Sequence, residues 1–431
     1  MKGWWVSVSE VERDSPAVSE TDAEMYVASV CFKTGPPGAV GVEIERIVHD
    51  VSDVRRPVPA AEVRIVAAEL GSELPGGGAV TFEPGGQFEV SSACGADLSS
   101  VIDAVRADLR VTDQYFDDAG LSFSSLALDP VRPPVRTLDH PRYTAMEAHF
   151  DRAGQAGRTM MCSTASLQVC LEAGLPGNGP GSAVQRWQRL HRLAPVLVAL
   201  FANSPFHQGA PSGWQSTRQA VWLGIDPSRA SPVQDSADPP AAWARYALDA
   251  SVLCIPSSRG SWEAPHGLTM RAWVRGHGPR PATYEDLHYH LSTLFPFIRP
   301  RGFLEIRVID AQAGSDWEAA AAITTALVDD EQAADIAADA CSPVAALPDA
   351  MMIAARDGLA NPVLGSAGLS CADAALAAMD RMKADAGTKA TVEAFVEQYA
   401  ARNRSPADQR IDDWRRTGSF SDPAQRKENV G

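Results

Sequence analysis

Five glutamates on short alternating segments are the residues in this chain whose type and spacing could do chemistry. Gly41-Val42-Glu43-Ile44-Glu45 alternates, so in a strand Glu43 and Glu45 share one face while Val42 and Ile44 turn to a core. Thr81-Phe82-Glu83-Pro84-Gly85-Gly86-Gln87-Phe88-Glu89-Val90-Ser91 reads as two extended pieces around a tight Pro-Gly-Gly turn, and Glu83, Gln87 and Glu89 can face the same way. No Lys or Arg stands beside Glu83 or Glu89 in sequence. A third strand, Gly302–Ile309, puts Glu305 and Arg307 on one face. Singly, each segment also fits a solvated sheet face or a surface ion pair of little energetic weight. Together they offer hard oxygen ligands of the kind Mg²⁺ takes, with waters and substrate phosphates completing its shell. An arginine beside such a site suits phosphoryl transfer, because it can stabilise charge on the moving group. The chain has no G-x-x-x-x-G-K-S/T, so a P-loop is excluded.

The elements that must position these residues follow from pattern. Val40–Ile47 and Ala79–Val90 read as strands, as do Leu121–Leu128 and Met160–Leu171. Asp97 caps an expected helix running towards Asp118, with Leu98, Val101, Ile102, Val105 and Leu109 at helical spacing. Further helices are expected over Tyr143–Ala153 and Val184–Ala202. Residues 203–213 and 229–240 read as loops, and residues 1–20 as a loose polar arm. Beyond Trp317 the pattern is helical to about Ala401. Strands come first, joined by short turns, and helices later. That predicts an α+β protein with an antiparallel sheet. A single catalytic domain is expected over 21–405, followed by a polar tail at 406–431.

Bulk properties narrow the function classes. The chain has 431 residues, a net charge of −16 and 45% hydrophobic residues, ample for a large core. Such acidity argues against nucleic-acid binding and against docking on an anionic membrane. The longest apolar run, Ala194–Ala202, falls far short of the ~20 residues of a membrane span. Seven scattered cysteines without a C-x-x-C pair fit reduced thiols in a cytoplasm. The pair His288-x-His290 would share a face on a strand, as a metal pair could, but packing is the reading preferred.

Residues 203–229 are rich in polar side chains, and Arg218 could present a bidentate fork to a carboxylate. With this loop in view, the ordered motifs GVEIE (41–45), TFEPGGQFEVS (81–91), RY (142–143), MMCSTASLQV (160–169), FANSPF (201–206), G-x-x-S-x-R (213–218) and RGFLEIRVID (301–310) resemble the glutamate–cysteine ligases of the plant and actinobacterial type. The resemblance covers about residues 25–320 and is strongest to the compact actinobacterial enzymes of ergothioneine biosynthesis. It implies a glutamine-synthetase-like fold, with a curved antiparallel sheet lined by carboxylates, helices outside and a helical C-terminal region. It implies ATP and Mg²⁺, with L-glutamate and L-cysteine as substrates and γ-glutamylcysteine as product. It places Glu43, Glu45, Glu83, Glu89 and Glu305 on the metals and Arg307 on the transferred phosphoryl group. It also places Gln168 at the metal site, Arg218 on a substrate carboxylate, and Thr164 and Trp222 in the amino-acid pocket. A monomer is the working expectation. One departure stands out: Ser163 replaces an arginine of the plant enzymes, which leaves a different amine acceptor as the alternative. A non-catalytic homologue is the third reading.

Overall fold

A computed structural model describes residues 17–71, 73–233 and 236–418. Its centre is a six-stranded sheet made of β1 (Val40–Arg46), β2 (Ala79–Phe82), β3 (Phe88–Ser91), β4 (Ser166–Leu171), β5 (Ile298–Pro300) and β6 (Leu304–Asp310), in the order β2-β3-β1-β4-β6-β5. Every pairing in it is antiparallel. Period-two alternation sorts the side chains. Val42, Ile44, Val90, Leu167, Val169, Leu171, Leu304 and Ile306 are buried in the main core. The helices Leu98–Asp118, Ala183–Leu200 and Asp316–Asp329 pack against these strands. The opposite face carries the carboxylates, under the helices Pro141–Asp151, Ala156–Ser163 and Thr217–Leu223.

The helix after Asp97 begins where the cap predicts: the Asp97 carboxylate accepts from Ser100 N, and the Ser100 hydroxyl completes a capping box. Pro141 opens its helix at the first turn, where no N–H is needed.

Several expectations change. Met160–Leu171 is not one strand; Ala156–Ser163 is a helix, Thr164 is extended, and β4 starts at Ser166. The run Met160-Met161-Cys162 is apolar at every position and carries no period, so alternation cannot place it. Leu121–Leu128 is a strand only over Leu121–Phe123. His288 and His290 lie on the helix Tyr284–Leu291, where i and i+2 diverge, and buried His290 meets the Ala247 carbonyl at 2.8 Å. Arg229, expected in a surface loop, is fully buried and donates to the Thr293 carbonyl at 2.7 Å. The segment from 406 opens with a capped helix, Pro406–Thr417, whose Ala407 N–H donates to Ala202 O at 2.9 Å. Residues 1–16 of the expected arm and 419–431 of the expected tail lie outside the described residues. Among the described residues no single helix is long and apolar enough to cross a membrane.

Candidate active site

The register of the sheet turns four separate motifs into one polar face. Across β1 and β3, Glu45 stands opposite Glu89. Across β1 and β4, Glu43 stands opposite Gln168; across β4 and β6, Cys170 stands opposite Glu305. Glu83 arrives from the turn between β2 and β3. There Glu83 N–H donates to Gln87 O and Gly86 N–H donates to Glu83 O, both at 2.9 Å. Gly86 has φ +93°, which favours glycine. A Cβ on Gly85 would sit 2.1 Å from the Cys162 carbonyl oxygen, so only glycine lets the turn approach that helix end. The Gln87 side chain pins the contact, donating to Thr164 O at 2.9 Å and accepting from Gly85 N at 3.0 Å.

This packing gathers Glu45, Glu83 and Glu89, each with a ligand oxygen within 4.8 Å of the others. Their charges are not balanced locally. Burial, then the carboxylates of Glu83 and Glu45, push Glu89 up to about 8. Burial and Glu45 push Glu83 up to about 7. Burial, Glu305 and Glu89 push Glu43 up to about 8. Burial and mutual repulsion raise Glu43, Glu83 and Glu89, and a cation beside them would relieve both effects. An oxygen-only donor set on three chain segments fits Mg²⁺.

Glu305 has a different setting. It is fully buried and held by the guanidinium of Arg299, with Nη2 at 2.9 Å and a shorter contact from Nε. Arg301 and Arg307 approach it at 3.3 and 3.4 Å. Burial alone would raise this carboxyl; Arg299, Arg307 and Arg301 outweigh burial and hold it well below the usual range. Gln168 then links the two halves. Its Nε2 donates to Glu45 at 3.0 Å and its Oε1 accepts from Arg307 Nη1 at 2.6 Å. Trp222 lies with its ring centroid 5.7 Å from the Arg307 guanidinium. Above this face is a cavity of about 230 Å³, lined by Glu43, Glu45, Glu83, Glu89, Gln168 and Arg307, and roofed in part by Thr164, Trp222 and Phe295. Carboxylates for a divalent cation beside arginines for an anion make a site suited to a metal–triphosphate.

Residues 39–426 match glutamate-cysteine ligase family 2 (GCS2). The chain belongs to this family. It is 40% identical over 367 residues to the glutamate–cysteine ligase EgtA of Mycobacterium tuberculosis, covering 83% of this chain and 82% of that protein. It is 38% identical over 397 residues to EgtA of Mycolicibacterium smegmatis, covering 90% of each. The chloroplastic glutamate–cysteine ligase of Arabidopsis thaliana is 26% identical over 329 residues, covering 70% of this chain and 60% of that one. In fold the chain is similar to the glutamate–cysteine ligase of Francisella tularensis in complex with AMP. That similarity has a TM-score of 0.53 at 12% identity and covers 90% of this chain and 86% of that one.

Around this cavity the ten residues expected at the site separate into layers. Glu43, Glu45, Glu83, Glu89, Gln168, Arg307, Thr164 and Trp222 line the cavity; Glu305 and Arg218 do not. Thr164 is buried, and its hydroxyl donates to Met160 O at 2.6 Å. Arg218 was expected on a substrate carboxylate. It is instead fully buried behind the cavity, donating to Arg307 O at 3.0 Å, with Nη1 3.6 Å from Asp310. Asp310 also accepts from Asn203 N, Ser204 Oγ and Ser216 Oγ at 2.9, 2.7 and 2.9 Å. The FANSPF and G-x-x-S-x-R motifs thus meet on one carboxylate at the end of β6 and fix the strand that carries Arg307.

Arg142, Arg299 and Arg301 also line the cavity and were not among the residues expected there. Arg142 belongs to the quoted RY motif, so its signal was visible without a role. Arg299 faces Glu305 across β5 and β6, a relation that appears only once those strands pair.

Proposed function

We propose that this ligase joins the γ-carboxylate of L-glutamate to the amine of L-cysteine at the expense of ATP, giving γ-glutamylcysteine for ergothioneine biosynthesis. Family membership, with 40% identity to EgtA, supports the reaction. The observation that carries the site assignment is the convergence of Glu45, Glu83 and Glu89 beside Gln168-anchored Arg307.

In this reading Glu45, Glu83 and Glu89 would hold Mg²⁺, with Glu43 beside them; Glu305, taken up by Arg299, Arg301 and Arg307, positions those arginines instead. Bound Mg²⁺ would neutralise triphosphate charge and orient it. A γ-carboxylate oxygen of glutamate attacks the terminal phosphorus of ATP, the bond to the β-phosphate oxygen breaks, and ADP leaves. Arg307 stabilises charge on the phosphoryl group in flight, held in place by Gln168. The neutral amine of cysteine then attacks the acyl carbon, phosphate departs with the bonding pair, and the amine's proton passes to the departing phosphate. Trp222, Phe295 and Thr164 cover the site and keep water from the acyl phosphate. The seven cysteines, all free thiols, fit a cytoplasmic setting and none is needed as a nucleophile.

Ser163, where the plant enzymes carry arginine, leaves one second reading open, the same chemistry with another amine. It is buried, and its carbonyl accepts from Asp129 N at 2.8 Å. The test is coupled ADP release with ATP, Mg²⁺ and glutamate across a panel of amines. Turnover that requires L-cysteine supports the first reading; equal turnover with another amino acid replaces it with the second.

A further inference from the structure

Three arginines converge on the fully buried carboxylate of Glu305, and they do not share it equally. Arg299 stands opposite Glu305 across β5 and β6 and takes both of its oxygens. Nη2 donates to Oε1 at 2.9 Å, and Nε makes a shorter contact with Oε2. The remaining nitrogen, Nη1, donates to Leu294 O at 3.1 Å. Every nitrogen of this guanidinium is therefore bonded within the protein, in the two-pronged geometry that suits a carboxylate. Arg301 and Arg307 reach only Oε1, and at 3.3 and 3.4 Å. The close partner of Arg307 is Gln168, whose Oε1 accepts at 2.6 Å.

Three positive charges thus surround one negative charge. A buried carboxylate stripped of its partner is strongly destabilised and draws in the nearest cation. With Arg299 removed, the nearest cations to Glu305 are Arg301 and Arg307. Closing the 3.4 Å separation would set Glu305 against Gln168 as competitors for Arg307 and turn the guanidinium towards the sheet, away from the cavity.

We infer that Arg299 is a positioning residue: by neutralising Glu305 it leaves the charge of Arg307, and of Arg301 beside it, to the phosphates. The inference rests on the ligase reading above and deepens it. Arg299 acts through Glu305 on Arg307 and takes no part in bond making. This role also accounts for a glutamate that shares the sheet face with Glu45, Glu83 and Glu89 but lies outside their cluster.

The test compares the wild type, Arg299→Gln, Glu305→Gln and the double variant by steady-state kinetics and thermal melting. Arg299→Gln should lower kcat about 100-fold, the size of a displaced catalytic group. Adding Glu305→Gln removes the stranded carboxylate, so kcat should recover at least about tenfold. The double variant strands no charge, and it should fold and stay within about tenfold of the wild-type kcat even if Arg299→Gln alone does not fold. Glu305→Gln should leave Mg²⁺ affinity within about threefold, where loss of support to a metal costs about 10- to 100-fold. A wild-type kcat in Arg299→Gln overturns the inference. So does a double variant whose melting temperature recovers while its kcat stays low, because that is what a purely structural pair would do. Loss of Mg²⁺ affinity in Glu305→Gln also overturns it, by giving Glu305 to the metal. Each of these leaves the ligase reading standing; a wild type that releases no ADP with glutamate and cysteine overturns both.

Discussion

At the residue scale, the site depends on carboxylates that are individually unfavourable. Glu83 and Glu89 are polar groups in a buried setting, and their repulsion is relieved only by protons or by a cation. Glu89→Gln keeps shape and removes charge, and it should lower turnover by at least about 100-fold with a matching loss of Mg²⁺ affinity. Arg307→Ala should cut kcat by about 10²- to 10³-fold, the size of losing one preorganised charge donor, while changing substrate KM values less. Gln168→Ala leaves both charges present but unlinked, and a loss of about 10- to 100-fold is expected. Steady-state kinetics with each substrate varied checks all three.

At the element scale, the turn between β2 and β3 decides where Glu83 points. Gly85→Ala would place a methyl 2.1 Å from the Cys162 carbonyl, so the turn must back away from the helix Ala156–Ser163 and carry Glu83 with it. The expected outcome is weakened Mg²⁺ binding together with a lower melting temperature, measured by calorimetry. Such relations explain what was legible in the sequence. Alternation in GVEIE and LEIR showed which side chains share a face, and Asp97 marked a helix start, because both are local rules. The helix end at Ser163 was not legible, since Met160-Met161-Cys162 is apolar throughout and is placed by the packing of Gly85 and Gln87 upon it. The role of Arg299 was hidden because its partner lies across a strand pair. Arg218 carried a motif signal whose meaning changed: the arginine braces Asp310 and the backbone of Arg307 from behind.

At the scale of the whole molecule, one antiparallel sheet separates the two kinds of burial. Its apolar face rests on helices, and its acidic face stores electrostatic repulsion for a ligand to relieve. That has a consequence for stability. Glu43 and Glu89, pushed up to about 8 chiefly by burial, and Glu83, pushed up to about 7, bind more protons folded than unfolded. Stability from these groups is therefore present below the ordinary carboxylate range and is lost as pH rises through the folded values. Without divalent metal, the melting temperature should fall as pH rises from about 4.5 to about 8. Added Mg²⁺ should raise it most at the alkaline end, and Mg²⁺ binding should release protons, seen as a buffer-dependent heat in titration calorimetry.

In the proposed reaction the acidic face supports phosphorylation of glutamate before the amine attacks. The most direct measurement supplies L-glutamate labelled with ¹⁸O in the γ-carboxylate, together with ATP, Mg²⁺ and L-cysteine, and follows the label by mass spectrometry. One ¹⁸O is expected in the released phosphate for each γ-glutamylcysteine formed. Phosphate released without label while the dipeptide accumulates would contradict it.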